Sequence, residues 1–191
     1  MTETRPTLLI IVASTRPGRV GLPVAEWFEA RALGQGDFDI DLADLKEIDL
    51  PFFDEPKHPR LQEYEHQHTK DWSARVAAAD AVVIVTPEYN FGLPAPLKNA
   101  LDFLSLEWNY KPVGFVSYGG ISAGTRAVAM LIQVVTSLGM IPAVTSVSIP
   151  LIRRMITSEG TFSANRILED SGTAMLDELA RWTANLTSVR P

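Results

Sequence analysis

The chain has 191 residues, 46% of them apolar, with 17 Lys and Arg against 23 Asp and Glu for a net charge of -6. That acidity excludes the broad positive footprint of a general nucleic-acid binder, so a bound anion has to be held by a local cluster of cations. The chain has no cysteine, which excludes disulfides, thiolate metal sites, iron–sulfur ligation and cysteine nucleophiles and fits a cytoplasmic protein. The polar start, Met1 to Pro6, carries no apolar leader, and no apolar run is long enough to cross a bilayer. Neither a signal peptide nor a membrane partner is expected. The length suits one domain over residues 1–191 with a core of its own.

In chain order, Leu8 to Val12 is a short apolar run that reads as a strand buried on both faces. It ends in Ala13-Ser14-Thr15-Arg16-Pro17-Gly18-Arg19-Val20-Gly21, a turn of hydroxyls, glycines and two arginines. Val20, Val24, Trp27 and Phe28 then fall on one face of a helix. Strand, polar turn and helix is the arrangement in which backbone N–H groups and a helix N-terminus hold a phosphate. The spacing matches neither the Walker A loop nor G-x-G-x-x-G. Phe38 to Leu42 alternates apolar and acidic residues, as a half-exposed edge strand does, and Pro51 to Pro59 is a polar connection. A weaker helix is expected from about Gln62 to Ala79. Ala81 to Val85 is a third strand, and Leu97, Leu101 and Leu104 mark a short helix after Pro96. Val113 to Ser117 is a fourth strand, and Ala127, Leu131, Val134, Val135 and Leu138 line another helical face. Val144 to Ile149 is the last strand, at the other sheet edge, and Met175, Leu179, Trp182 and Leu186 mark the last helix.

Such alternation implies a parallel sheet with right-handed crossovers. The expected fold is α/β: a flavodoxin-like, doubly wound, five-stranded parallel sheet of order 2-1-3-4-5 with helices on both faces. Ligands of such sheets bind beyond the carboxyl ends of the strands where the order reverses. Those loops are Ser14–Gly21, Thr86–Pro94 and Ser117–Gly124. The first offers Ser14, Thr15 and Arg16, with Arg19 nearby, for a phosphate. The second reads Thr86-Pro87-Glu88-Tyr89-Asn90-Phe91-Gly92. The third reads Ser117-Tyr118-Gly119-Gly120, whose glycines allow backbone N–H groups close to a flat ring.

Four pieces in register, Ala13 to Arg19, Pro87-Glu88-Tyr89-Asn90, Leu97-Lys98-Asn99-Ala100-Leu101-Asp102 and Ser117-Tyr118-Gly119-Gly120, carry a family resemblance. The chain resembles the NADPH-dependent FMN reductases, the flavodoxin-like quinone, azo and chromate reductases. The resemblance implies that Ser14 and Arg16 contact the FMN phosphate, assisted by Thr15, Arg19 and the amides of Val20 and Gly21. It implies that Pro87, Glu88, Tyr89 and Asn90 line the isoalloxazine and ribityl chain, and that Ser117, Tyr118, Gly119 and Gly120 line the other side of the flavin. It further implies an enzyme that passes hydride from NADPH or NADH through FMN to a quinone, azo or similar small-molecule acceptor. No catalytic side chain is required, because the flavin carries the chemistry. A flavodoxin-like electron carrier without nicotinamide chemistry is the alternative. The family pattern departs at Ala13, often glycine, and at Gly21, where some members supply a hydroxyl to the phosphate.

Other residues have plainer readings. Glu88 is read first as a turn cap, and Tyr89 and Phe91 as either core aromatics or flavin neighbours. At Tyr118 the backbone rather than the ring is expected to matter. Asn99 and Asp102 are expected to stabilise their helix and a subunit contact, since the resemblance implies a homodimer or homotetramer. Trp108 and Tyr110, in a loop, are expected at an interface. His66 and His68, two apart on a helix, should point to different faces, so no metal site is expected. Asp37, Asp39, Asp41 and Asp44 are read as a solvated edge that discourages strand addition.

Overall fold

The computed structural model describes residues 5–186. The ends of the expected domain, residues 1–4 and 187–191, lie outside the described residues. So does most of the Met1–Pro6 segment.

Three strands form the centre: β1 (Thr7–Val12), β3 (Ala81–Pro87) and β4 (Pro112–Tyr118). Every residue of β3 and β4 is buried, which is why their sequences are continuous apolar runs. β2 (Asp39–Asp44) lies outside β1, pairing Thr7 with Asp39 through Val12 with Asp44. The sheet runs β2-β1-β3-β4-β5, all parallel, which is the expected 2-1-3-4-5 order.

Alternate strand residues feed two cores. Leu8, Ile10 and Val12 face α1 (Gly21–Gln35) and α6 (Arg166–Leu186), where Val24, Phe28, Met175 and Leu179 are buried. Leu9, Ile11 and Ile84 face α3 (Gln67–Ala78), α4 (Ala95–Asp102) and α5 (Thr125–Ser137), against Trp72, Leu97, Leu131 and Val135. A single-turn α2 (Leu45–Ile48) follows β2, its N-terminus capped by the Asp44 carboxylate, which accepts from Lys46 N–H.

The last strand differs from expectation. It is split into β5 (Ile141–Pro142) and β6 (Val147–Ile149), each parallel to β4, giving six strands among the described residues. The break has a physical cause. The N–H groups of Val144 and Thr145 leave the ladder and donate to the two carboxylate oxygens of Glu178 on α6, both at 2.8 Å. Val144 stands 93% exposed at the break.

Three side-chain expectations are corrected. Trp108 is fully buried rather than at a surface: its Nε1–H donates to Leu101 O at 3.2 Å, and its ring meets Trp72 edge-on at 6.1 Å. Tyr110 stays half-exposed. His66 precedes α3 in extended backbone, so its ring stacks on His68 at 5.2 Å instead of diverging. The acidic edge is not simply solvated, because Asp39 pairs with Arg5, Asp41 with Arg75 of α3 and Asp44 with Arg19.

Candidate functional site

The loops after β1, β3 and β4 meet over the carboxyl edge of the sheet, and a cleft of about 160 Å³ opens between them. The β1 loop leaves the sheet just after Ala13, whose N–H still donates to Val85 O at 3.0 Å. It then tightens where Arg19 N–H donates to Arg16 O at 3.2 Å, with Gly18 at φ 67. The Arg19 guanidinium is spoken for. It grips both oxygens of Asp44, donates to Ser14 O at 2.7 Å, and is only 8% exposed. Arg19 therefore braces the loop against the end of β2 with its charge balanced. Arg16 lines the cleft and is exposed, with no ion pair among the described residues. α1 opens with no side-chain cap at Val20 and no acidic residue in its first turn. Its leading N–H groups and dipole thus have no built-in acceptor.

The β3 loop closes on itself as a two-residue hairpin. Tyr89 N–H donates to Gly92 O at 3.0 Å and Gly92 N–H returns to Tyr89 O at 2.9 Å. Asn90 and Phe91 both take positive φ, 49° and 70°, the twist that such a tight hairpin needs. For a phenylalanine that conformation costs about 1–3 kcal/mol, so the surroundings must hold it. The Arg126 guanidinium lies 3.8 Å from the centre of the Phe91 ring. Glu88 fixes the hairpin to α5. Its carboxylate accepts from Arg126 N–H at 3.1 Å, Arg126 Nε at 2.7 Å and Ser122 Oγ at 3.2 Å. Hydrogen bonding to Arg126 holds the Glu88 carboxyl below the usual carboxylate range. Glu88 thus acts as a cap, but on the start of α5 rather than on its own turn.

The β4 loop is wired almost entirely to itself. Ser117 Oγ donates to Ala123 O at 2.8 Å, Gly119 N–H to Ile149 O at 3.2 Å, and Ile152 N–H to Gly119 O at 3.1 Å. The turn into α5 passes through Ala123 at φ 52 and Gly124 at φ 80. A Cβ on Gly124 would sit 2.9 Å from both Tyr118 N and O, so only glycine allows this approach. A Cβ on Gly119 would press on Gly124 N at 3.1 Å. Gly119 thus lets the chain fold on itself, and its N–H is already used, which corrects the expectation that it is free to meet a ring.

Of the residues singled out by sequence, the structure brings Ser14, Arg16, Arg19, Val20, Pro87, Glu88, Tyr89, Tyr118 and Gly119 to the cleft. Thr15 instead faces a neighbouring hollow of about 380 Å³ with Leu45, Phe52 and Asn99. Gly120 opens on a third hollow of about 330 Å³, with Leu151, Arg153 and Arg154. Ser117 is sealed inside its turn and Asn90 sits at the hairpin tip. Gly21 lies under Tyr118, whose hydroxyl would be 2.4 Å from a Cβ there. Gly18, inside the expected Ser14–Gly21 loop, also lines the cleft, as do Ile152 and Arg153, which the sequence reading did not single out. Their signal was the Arg153-Arg154 pair just past the last strand, which ends on the same sheet edge because β6 runs parallel to β4. Burial pushes the Tyr118 phenol above its ordinary pKa, so it is a neutral O–H donor.

Known proteins resemble this chain in sequence and in fold. The sequence profile described as NADPH-dependent FMN reductase matches residues 6–152. The chain is 43% identical over 124 residues to the NAD(P)H-dependent FMN reductase of Schizosaccharomyces pombe, covering 64% of this chain and 62% of that one. It is 29% identical over 172 residues to the FMN-dependent NADPH-azoreductase of Staphylococcus haemolyticus, covering 89% of this chain and 84% of that one. Its fold matches that of the flavoenzyme NAD(P)H:(acceptor) oxidoreductase FerB from Paracoccus denitrificans with a TM-score of 0.73 at 20% identity, over 94% of this chain and 98% of that one.

Proposed function

The chain belongs to the NADPH-dependent FMN reductase family, and we propose that it is an FMN-dependent NAD(P)H oxidoreductase whose cleft holds FMN by its phosphate at the start of α1. The observation that carries this reading is a bank of donors left without internal acceptors. The N-terminus of α1 has no side-chain cap, and Arg16 is unpaired among the described residues. An anion there gains both the helix dipole and charge-assisted hydrogen bonds. The residues fit the group: one end of the cleft is basic and hydroxylic, the other lies between a strained hairpin and a glycine turn.

Ser14, Arg16 and the backbone at Val20 and Gly21 hold the phosphate, and Thr15 and Arg19 shape the loop that presents them. Pro87, Glu88, Tyr89 and Asn90 form one wall for the ring and ribityl chain, and Ser117, Tyr118, Gly119 and Gly120 the other. When bound, FMN supplies the hydride chemistry between NADPH or NADH and the acceptor. The acceptor is a small oxidised molecule of the quinone or azo class, in line with the printed activity of the azoreductase relative. The reading includes one domain over residues 1–191, a homodimer or homotetramer and a cytoplasmic location. Among the described residues no helix is long and apolar enough to cross a membrane.

The test is anaerobic titration of the FMN-loaded protein with NADPH, followed by addition of a quinone. The expected result is stoichiometric bleaching of the flavin absorbance and its return with the quinone. Flavin that binds but is not bleached by NADPH or NADH would mark an electron carrier instead.

A further inference from the structure

The β1 loop lacks a hydroxyl at position 21, and the structure supplies one from elsewhere. The Tyr118 side chain, on the last residue of β4, is 4% exposed, and its hydroxyl has no hydrogen-bond partner. A buried donor left unpaired is costly and calls for an explanation. That hydroxyl stands 2.4 Å from where a Cβ of Gly21 would be, a point itself 3.6 Å from Ser14 Cβ. The phenol oxygen therefore fills the side-chain space of the first helical residue of α1. It is the place from which a hydroxyl at position 21 would act. The charges and hydroxyls facing it are those of Ser14, Tyr89 and Arg19, the last already neutralised by Asp44.

We infer that Tyr118 and Gly21 form a reciprocal pair in which the Tyr118 hydroxyl donates to the phosphate of FMN in place of a side chain at position 21. This rests on the proposed FMN site. Tyr89 is the movable member. It is 37% exposed, and its hydroxyl is 2.7 Å from Ser14 Oγ, a contact that a phosphate bound at Ser14 would replace. Gly21 is glycine because any Cβ would collide with the hydroxyl that replaces it.

Tyr118→Phe, Gly21→Ser and the double variant Gly21→Ser/Tyr118→Phe are titrated with FMN and with riboflavin, which lacks the phosphate. Tyr118→Phe should weaken FMN about ten- to a hundred-fold, the range for a hydrogen bond to a charged group, and leave riboflavin unchanged. Because the hydroxyl is unpartnered, Tyr118→Phe without ligand should unfold at the same temperature as the parent or higher. Gly21→Ser alone should lose FMN, since Ser and Tyr118 compete for one space. The double variant should recover most of the affinity, its new hydroxyl standing where the phenol oxygen was. If Tyr118→Phe binds FMN as the parent does, while the parent still prefers FMN to riboflavin, the pairing is wrong and the FMN site stands. A parent chain that takes up no FMN overturns both.

Discussion

The two banks of the cleft are built on opposite principles. On the bank formed by the β3 and β4 loops nearly every polar group is satisfied from within: Ser117 on Ala123, Gly119 on Ile149, Glu88 on the start of α5. On the β1 bank the uncapped start of α1 and Arg16 have no internal acceptor among the described residues, and the Tyr118 hydroxyl, unpartnered, reaches that bank from the end of β4. The difference separates frame from site. A buried or dipole-aligned donor with no partner is tolerated when an external anion completes it, whereas a wall that only shapes the ligand is better rigid. Substitutions on the two banks should therefore fail differently, in stability on one and in affinity on the other.

The largest effect is expected on the frame. Gly124→Ala places a Cβ 2.9 Å from Tyr118 N and O at a φ of 80, and it should cost at least about 2 kcal/mol in denaturant unfolding. Arg16→Ala on the open bank should leave unfolding unchanged but weaken FMN by about ten- to a hundred-fold in a binding titration. A loss of stability there instead would erase the contrast. Glu88→Gln should cost about 1 kcal/mol, the scale of a lost helix cap. Its pH dependence has a definite sign. The folded pKa of Glu88 is depressed by Arg126, so its contribution is present above the ordinary carboxylate pKa and is lost as pH falls through the folded value. The stability gap between parent and Glu88→Gln should therefore close only on acidification below the ordinary carboxylate range. Smallest is Val144→Lys at the exposed break in the last strand, expected within about 0.5 kcal/mol of the parent.

The sheet was legible because β1, β3 and β4 are buried on both faces and their sequences say so locally. The meeting of the three loops over the carboxyl edge was legible for the same reason, since their positions follow from strand order. What escaped depends on partners far away in the chain. The split of the last strand is made by Glu178 on α6, and the engagement of Arg19 by Asp44 at the end of β2. Trp108 looked like a loop aromatic because nothing near it in sequence reveals the pocket beside Trp72. The contact of Tyr118 with Gly21 joins the end of β4 to the start of α1, which only the folded sheet brings together. Arg153 escaped because it follows the last strand, away from the point where the strand order reverses.

The most direct measurement is the affinity of the protein for FMN relative to riboflavin by calorimetric titration. The two ligands share the ring and ribityl chain and differ only in the phosphate that the β1 bank is proposed to hold. FMN should bind about a hundred-fold tighter or more, from at least two charge-assisted contacts. Equal affinity for the two would contradict the assignment of that bank as the phosphate site.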